Sequence, residues 1–126
     1  MKPPPPKKIL VVDDDESQAN LIATFLKKNN FLVATANDPL AALQLLQHAP
    51  VDLVITDLMM PHVDGIDFTE RVHQLPGLKD VPVILITAWP SEEVSDKGMR
   101  RGVAMTLSKP VQLSKLLDLV GFATAS

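Results

Sequence analysis

The sequence predicts an α/β fold, a doubly wound five-stranded parallel sheet with helices on both faces. Two observations carry that expectation. Short runs rich in Val, Ile and Leu recur five times along the 126 residues, each followed by a stretch with helical spacing of apolar side chains. Most of these runs are continuously apolar rather than alternating, which suits strands covered on both faces. Strand–helix units in series, joined by short loops, assemble as a parallel sheet because each helix returns the chain to the starting edge. Length and composition set the frame. At 126 residues the chain suits one domain, and its lack of cysteine excludes disulfide scaffolds and thiolate metal sites. With 12 basic and 15 acidic residues it lacks the basic excess of a nucleic-acid-binding domain. No apolar run reaches the ~18–20 residues of a membrane span and no secretory leader is visible, so a cytoplasmic protein is expected.

Residues 1–8 read MKPPPPKK. Four consecutive prolines favour an extended tail outside the fold: a ligand for a proline-recognising domain, or more plainly a solvated chain end. Ile9–Val12 is the first strand. Asp15 is read as the cap of a helix over Ser17–Asn29, with Leu21, Ile22, Phe25 and Leu26 on its apolar stripe and Lys27 and Lys28 in its last turn. Phe31–Ala36 is the second strand. Asp38-Pro39 then opens a helix with Leu40, Leu43 and Leu46 inward, ending near His48-Ala49 before Pro50. Val51–Asp57 is the third strand, with Asp52 capping its start, and Gly65–Gln74 the third helix, after a turn containing Asp64. Val81–Thr87 and Ser91–Arg101 form the fourth pair, closed by Gly102. Val103–Leu107 and a short helix over Leu113–Val120 form the fifth, giving a domain over 9–122 and a tail over 123–126.

Ligands of such sheets bind beyond the carboxyl ends of the strands, near the switch in strand order. Those ends carry Asp13, Asp14 and Asp15, then Asp57, Thr87 and Ser108-Lys109-Pro110. Carboxylates crowded together repel, and a hard divalent cation relieves them while leaving positions for phosphate oxygens. A lysine adds a point charge and Thr87 a hydroxyl donor. Carboxylate nucleophile, Mg²⁺ (or Mn²⁺), lysine and hydroxyl together describe phosphoryl transfer to an aspartate. Singly, each has a plainer reading: Asp15 and Asp64 as turn or cap residues, Thr87 as a β-branched strand residue, Lys109 as a solvated charge. Their joint placement on successive strand ends favours the site.

In VVDDDES, VITDLMMPHVDG, VILITA and LSKP the sequence resembles the receiver domain of two-component response regulators, in order and spacing, from about Lys7 to Val120. The resemblance implies a flavodoxin-like (βα)₅ fold with strand order 2-1-3-4-5. It implies Asp57 as phosphoacceptor, Asp13, Asp14, Asp57 and the backbone carbonyl of Met59 as Mg²⁺ ligands, and Thr87 and Lys109 as the groups drawn to the phosphoryl group. It further implies a cis bond at Lys109-Pro110, a phosphohistidine donor on a histidine kinase or phosphotransfer domain, and an output through changed partner affinity. A homodimer through the fourth helix, fifth strand and fifth helix is allowed; direct binding of nucleic acid or membrane is not expected.

The chain departs from the family pattern at Thr106, where receivers usually carry an aromatic residue, and at Gly102-Val103-Ala104 before that strand. Met59 and the only tryptophan, Trp89, stand where the family controls access of water to the aspartyl phosphate. Neither side chain activates water, so self-dephosphorylation is expected to be slow. His62 is read as a solvated loop residue, His48 and His73 as helix-surface histidines, and Lys97, Arg100 and Arg101 as a basic helix end. Two rival functions compete with this reading. A dehalogenase-type phosphohydrolase needs an acid two residues after the nucleophile, where Met59 stands, and a cap domain that 126 residues hardly allow. A pseudo-receiver, signalling without phosphorylation, gains some support from Thr106. The chain is therefore expected to be a switch and not a turnover enzyme.

Overall fold

The computed structural model describes residues 4–125. In chain order the elements are β1 (Lys8–Val12), α1 (Glu16–Lys28), β2 (Leu32–Ala36), α2 (Pro39–His48), β3 (Leu53–Asp57), α3 (Gly65–His73), β4 (Val83–Thr87), α4 (Glu92–Arg100), β5 (Met105–Ser108) and α5 (Leu113–Thr124). The strands form one sheet in the order β2-β1-β3-β4-β5, with every neighbouring pair parallel. The chain steps outward from β1 to β2 and then crosses back to β3. A crevice therefore opens between the carboxyl ends of β1 and β3.

The apolar strand runs serve two cores at once. On one face Ile9, Val11, Ile55, Ile84 and Ile86 pack against Ala19, Ile22 and Leu26 of α1 and Leu116 and Val120 of α5. On the other, Leu10, Val12, Val54 and Val83 meet Ala42 and Leu46 of α2 and Phe68 and Val72 of α3. A smaller cluster of Leu58, Ile66, Leu85 and Val103, joined by Val94, seats α4. Each fully buried Leu, Ile or Phe contributes about 1.5–3 kcal/mol of transfer free energy. Alternate residues of one strand thus fill opposite cores, which is why the runs show no alternation.

Four of the five helices start on a side-chain cap. Asp15 accepts from Ser17 and Gln18, Asp38 from Leu40, Asp64 from Ile66 and Asp67, and Ser91 from Val94. Helix α5 follows Gln112 without one. Since every helix runs back along the sheet, β1 begins and α5 ends at the edge away from the carboxyl ends of the strands.

Several expectations need correction. Lys8 is the first residue of β1, not part of the tail, because Leu32 N donates to Lys7 O and Lys8 N to Asp52 Oδ2, extending the ladder at its start. Asp52 thus ties β1 to β3 rather than only opening β3. Leu21 and Leu40 point outward, 53% and 49% exposed, because Ala19, Ala23 and Ala42 take the tight inner positions against the sheet. Strands β3, β4 and β5 begin two residues later than their apolar runs; Val81 and Val103 are buried in the approach to the strand. Helix α5 is not short: it continues through Thr124, past the boundary set at 122. His73 is not a free surface histidine, since its Nε2 donates to Val81 O at 2.8 Å. Met1 to Pro3 of the proline-rich tail and Ser126 of the C-terminal tail lie outside the described residues.

Candidate functional site

The carboxyl ends of β1, β3, β4 and β5 bring the expected groups together. Asp13 follows β1 directly; its N–H continues the ladder to Ala36 O, and its carboxylate accepts from Asp15 N at 2.9 Å. That bond turns the chain into the α1 cap and buries Asp13, which is 4% exposed, while Asp14 is left exposed. Asp57 is the buried last residue of β3. Asp13, Asp14 and Asp57 each present a carboxylate oxygen within 4.8 Å of the others. Lys109 Nζ donates to Asp57 Oδ2 at 3.0 Å and lies 3.9 Å from Asp13 Oδ2. The Lys109 backbone is held by its own N–H, which donates to Thr87 O at 2.8 Å, and the Lys109-Pro110 peptide that follows is cis.

The electrostatics of the cluster follow from burial and like charge. Burial is the main cause that pushes the Asp13 carboxyl up to about 6; the charges of Asp57 and Asp14 add to it, and the Asp15 N–H and Lys109 oppose it. Burial also works against the Lys109 ammonium. The hydrogen bond to Asp57 and the charges of Asp57, Asp13 and Asp14 outweigh it and hold the lysine above its usual value. The cluster is an acidic cup with one cation at its wall.

The backbone around Asp57 is fixed from three sides. Thr56 Oγ1 donates to Asp57 O, Leu58 N donates to Ile86 O, and Gly65 N donates to Leu58 O at 2.8 Å. A Cβ on Gly65 would stand 2.3 Å from Asp57 O and 2.7 Å from Leu85 Cδ1, so only glycine lets α3 start this close to the carboxylate-bearing strand end. Thr87 is buried, and its Oγ1 accepts from Trp89 N at 3.0 Å. No hydrogen bond joins it to Asp57 among the described residues. Met59 and Trp89, 63% and 75% exposed, stand on the loops after β3 and β4. His62, exposed and with a left-handed φ of 73°, occupies the loop before α3.

Residues 9–121 match the family described as response regulator receiver domain. The chain belongs to this family. Among solved structures, the receiver domain superposes on chemotaxis response regulator CheY4 of Vibrio cholerae with a TM-score of 0.88 and 30% identity, covering 94% of this chain and 98% of that one. It is 39% identical over 96 residues to the sensor histidine kinase RcsC of Salmonella typhi, covering 76% of this chain and 10% of that protein. It is 38% identical over 79 residues to the cyclic di-GMP phosphodiesterase response regulator RpfG of Xanthomonas campestris, covering 63% of this chain and 21% of that protein. The receiver domain thus corresponds to a small part of both long relatives, and it is a receiver domain of two-component signalling.

Three features of the receiver domain escaped the sequence reading. Arg101 is not part of a free basic helix end: it caps α4 and pairs with Asp67 and Glu70 of α3. The pairing holds Glu70 below the usual carboxylate range and Arg101 above its ordinary value. Asp67 and Glu70 sit three apart on one helix face, but no local pattern says that Arg101, 31 residues from Glu70, closes on them. Trp89 meets Thr87 through its backbone, which its side-chain identity does not signal. Gly102, at φ 104°, lies so close to the His73 ring that a Cβ would be 2.7 Å from Nδ1.

Proposed function

We propose that this chain is a phosphorylation-dependent switch that takes a phosphoryl group onto Asp57 and passes the change to a partner. One observation carries the reading most directly: Asp13, Asp14 and Asp57 gather their oxygens within 4.8 Å while Lys109 contacts both buried carboxylates. The donor set is all oxygen and rich in charge, which fits Mg²⁺ or Mn²⁺ held by Asp13, Asp14, Asp57 and the Met59 carbonyl. When bound, the cation supplies positive charge to the oxygens of the transferring group. In the transfer, an Asp57 carboxylate oxygen forms the new O–P bond as the N–P bond of a phosphohistidine breaks, and the imidazole leaves with the electron pair. Lys109 moves from pairing with Asp57 to pairing with the added phosphoryl oxygens. Thr87 turns its hydroxyl toward them.

The donor is a histidine kinase or a phosphotransfer domain, and the output is altered affinity for a partner, with a homodimer through α4, β5 and α5 as one form. Turnover of a separate substrate is not part of this function; Met59 stands where a hydrolase of this chemistry would carry its acid. Among the described residues no helix is long and apolar enough to cross a membrane, and a cytoplasmic site of action suits a kinase-fed switch. The test is intact mass after incubation with Mg²⁺ and acetyl phosphate, beside Asp57→Asn. A gain of one phosphoryl mass that the variant lacks is expected. Thr106, in place of an aromatic, favours a second reading as a phosphorylation-independent module. Absence of both mass gain and Mg²⁺ binding selects it.

A further inference from the structure

We propose that the Thr106 hydroxyl is one half of a latch for α4, closed by donating a hydrogen bond to the Ser95 hydroxyl when Asp57 is phosphorylated. The latch rests on the phosphorylation reading above and names the residues through which that event reaches α4. Thr106 lies on β5 opposite Leu85, and the Thr87–Ser108 pair stands two positions further along the same register. Its residue is half-buried, and its Oγ1 is the buried side-chain polar atom left without a hydrogen-bond partner among the described residues. Paired residues of neighbouring strands share a face, so Thr106 lies on the face of Leu85 and Thr87. Leu85 packs there with Val103 and with Val94 of α4. The orphaned hydroxyl therefore sits on the side that α4 covers.

A buried hydroxyl without a partner is costly, and any conformer that supplies one is favoured by that amount. Helix α4 is the element able to move there. Along Glu92–Arg100 only Gly98 is buried, with Val94 and Ser95 half-buried, so little packing resists a shift. Residues 94, 95 and 98 form one helical stripe toward the sheet, on which Ser95 carries the only hydroxyl. The C-terminal end is pinned, since Arg101 pairs with Asp67 and Glu70 of α3. The N-terminal end hangs from the loop whose Trp89 N–H rests on Thr87 Oγ1. Turning the Thr87 hydroxyl toward a phosphorylated Asp57 releases that N–H. The helix then pivots about Arg101 and brings Ser95 over Thr106.

Trp89 is the sole tryptophan and reports this loop by its fluorescence. The experiment uses wild type, Thr106→Val, Ser95→Ala and the double variant, each treated with Mg²⁺ and acetyl phosphate. Intact mass gives the phosphorylated fraction, Trp89 emission the response, and thermal melts the resting stability. Thr106→Val keeps the shape and removes the orphan, so its unphosphorylated thermal midpoint is expected to rise by about 3–6 °C. At equal phosphorylation its emission change falls to about half of wild type or less, as the shared bond is lost. Ser95→Ala loses the same share of response without the rise in midpoint, and the double variant loses no more than either single one. Four results overturn the latch while leaving the phosphorylation reading intact: a Thr106→Val midpoint that does not rise, its full emission response, additive losses in the double variant, or no emission change in phosphorylated wild type. Absence of mass gain in wild type overturns the phosphorylation reading, and the latch with it.

Discussion

Trp89 shows how one residue can have a backbone role and a side-chain role that are independent. Its N–H holds the Thr87 hydroxyl at 3.0 Å, whatever the side chain, while its indole stands 75% exposed beyond the strand end. Met59 is likewise exposed on the loop that follows Asp57. An indole and a thioether offer water no base, so loss of phosphate from Asp57 is expected to be slow. Trp89→Glu combined with Met59→Asn places a carboxylate and an amide there, and the rate of mass loss after removal of acetyl phosphate should rise about tenfold or more. An unchanged rate would show that these two positions do not govern the water. At this scale the sequence was most informative where chemistry is scarce. Acidic residues in succession after an apolar run, and a lysine before a proline, are uncommon enough to be noticed. Thr106 stands out in the sequence only as a departure from the family pattern, and the lack of a partner for its hydroxyl among the described residues is invisible until β5 is placed.

Among the elements, α3 has the tightest constraint. Its first residue, Gly65, abuts the carbonyl of Asp57, and Asp64 caps the helix by accepting from Ile66 N and Asp67 N. Gly65→Ala forces the helix start off Asp57 O, and a loss of about 1–3 kcal/mol in unfolding free energy is expected from denaturant titration. An alanine variant as stable as wild type would mean that the loop relaxes without strain. The caps Asp15 and Asp38 could be read beforehand because capping is local chemistry, settled within three or four residues, whereas Asp64 was expected only in a turn and Ser91 inside its helix. The strand starts could not. Val51-Asp52 and Val81-Pro82 are as apolar in part as the strands they precede, and ladder pairing with a neighbour, not composition, decides where a strand begins. The outward turn of Leu21 and Leu40 has the same origin. Helical spacing marks a stripe about one-third of the circumference wide, and only the distance to the sheet chooses alanine over leucine for its centre.

For the molecule as a whole, placing acids at the strand ends opposes its stability in a defined pH window. The Asp13 carboxyl titrates near 6 in the fold against 3.8 for the free side chain. The protonated form is therefore favoured by folding: the contribution is fully present below 3.8 and is lost as pH rises through about 6. The difference is on the order of 2–3 kcal/mol. In metal-free buffer, Asp13→Asn is expected to melt several degrees above wild type at pH 7, with the gap closing toward pH 4. Added Mg²⁺ should raise the wild-type midpoint at pH 7 by binding only the folded state, and should do so weakly below pH 6, where protons compete. A gap that does not change with pH would remove Asp13 as the source. The fold itself was legible because the alternation of strands and helices repeats five times and each unit confirms the last. The return of every helix to one edge has a further consequence. Strand β1 starts and helix α5 ends on the side opposite the carboxylates. A module joined before β1 or after α5 would leave the mouth of the carboxylate site clear. Stretches similar to this chain accordingly make up a small part of each of the long relatives.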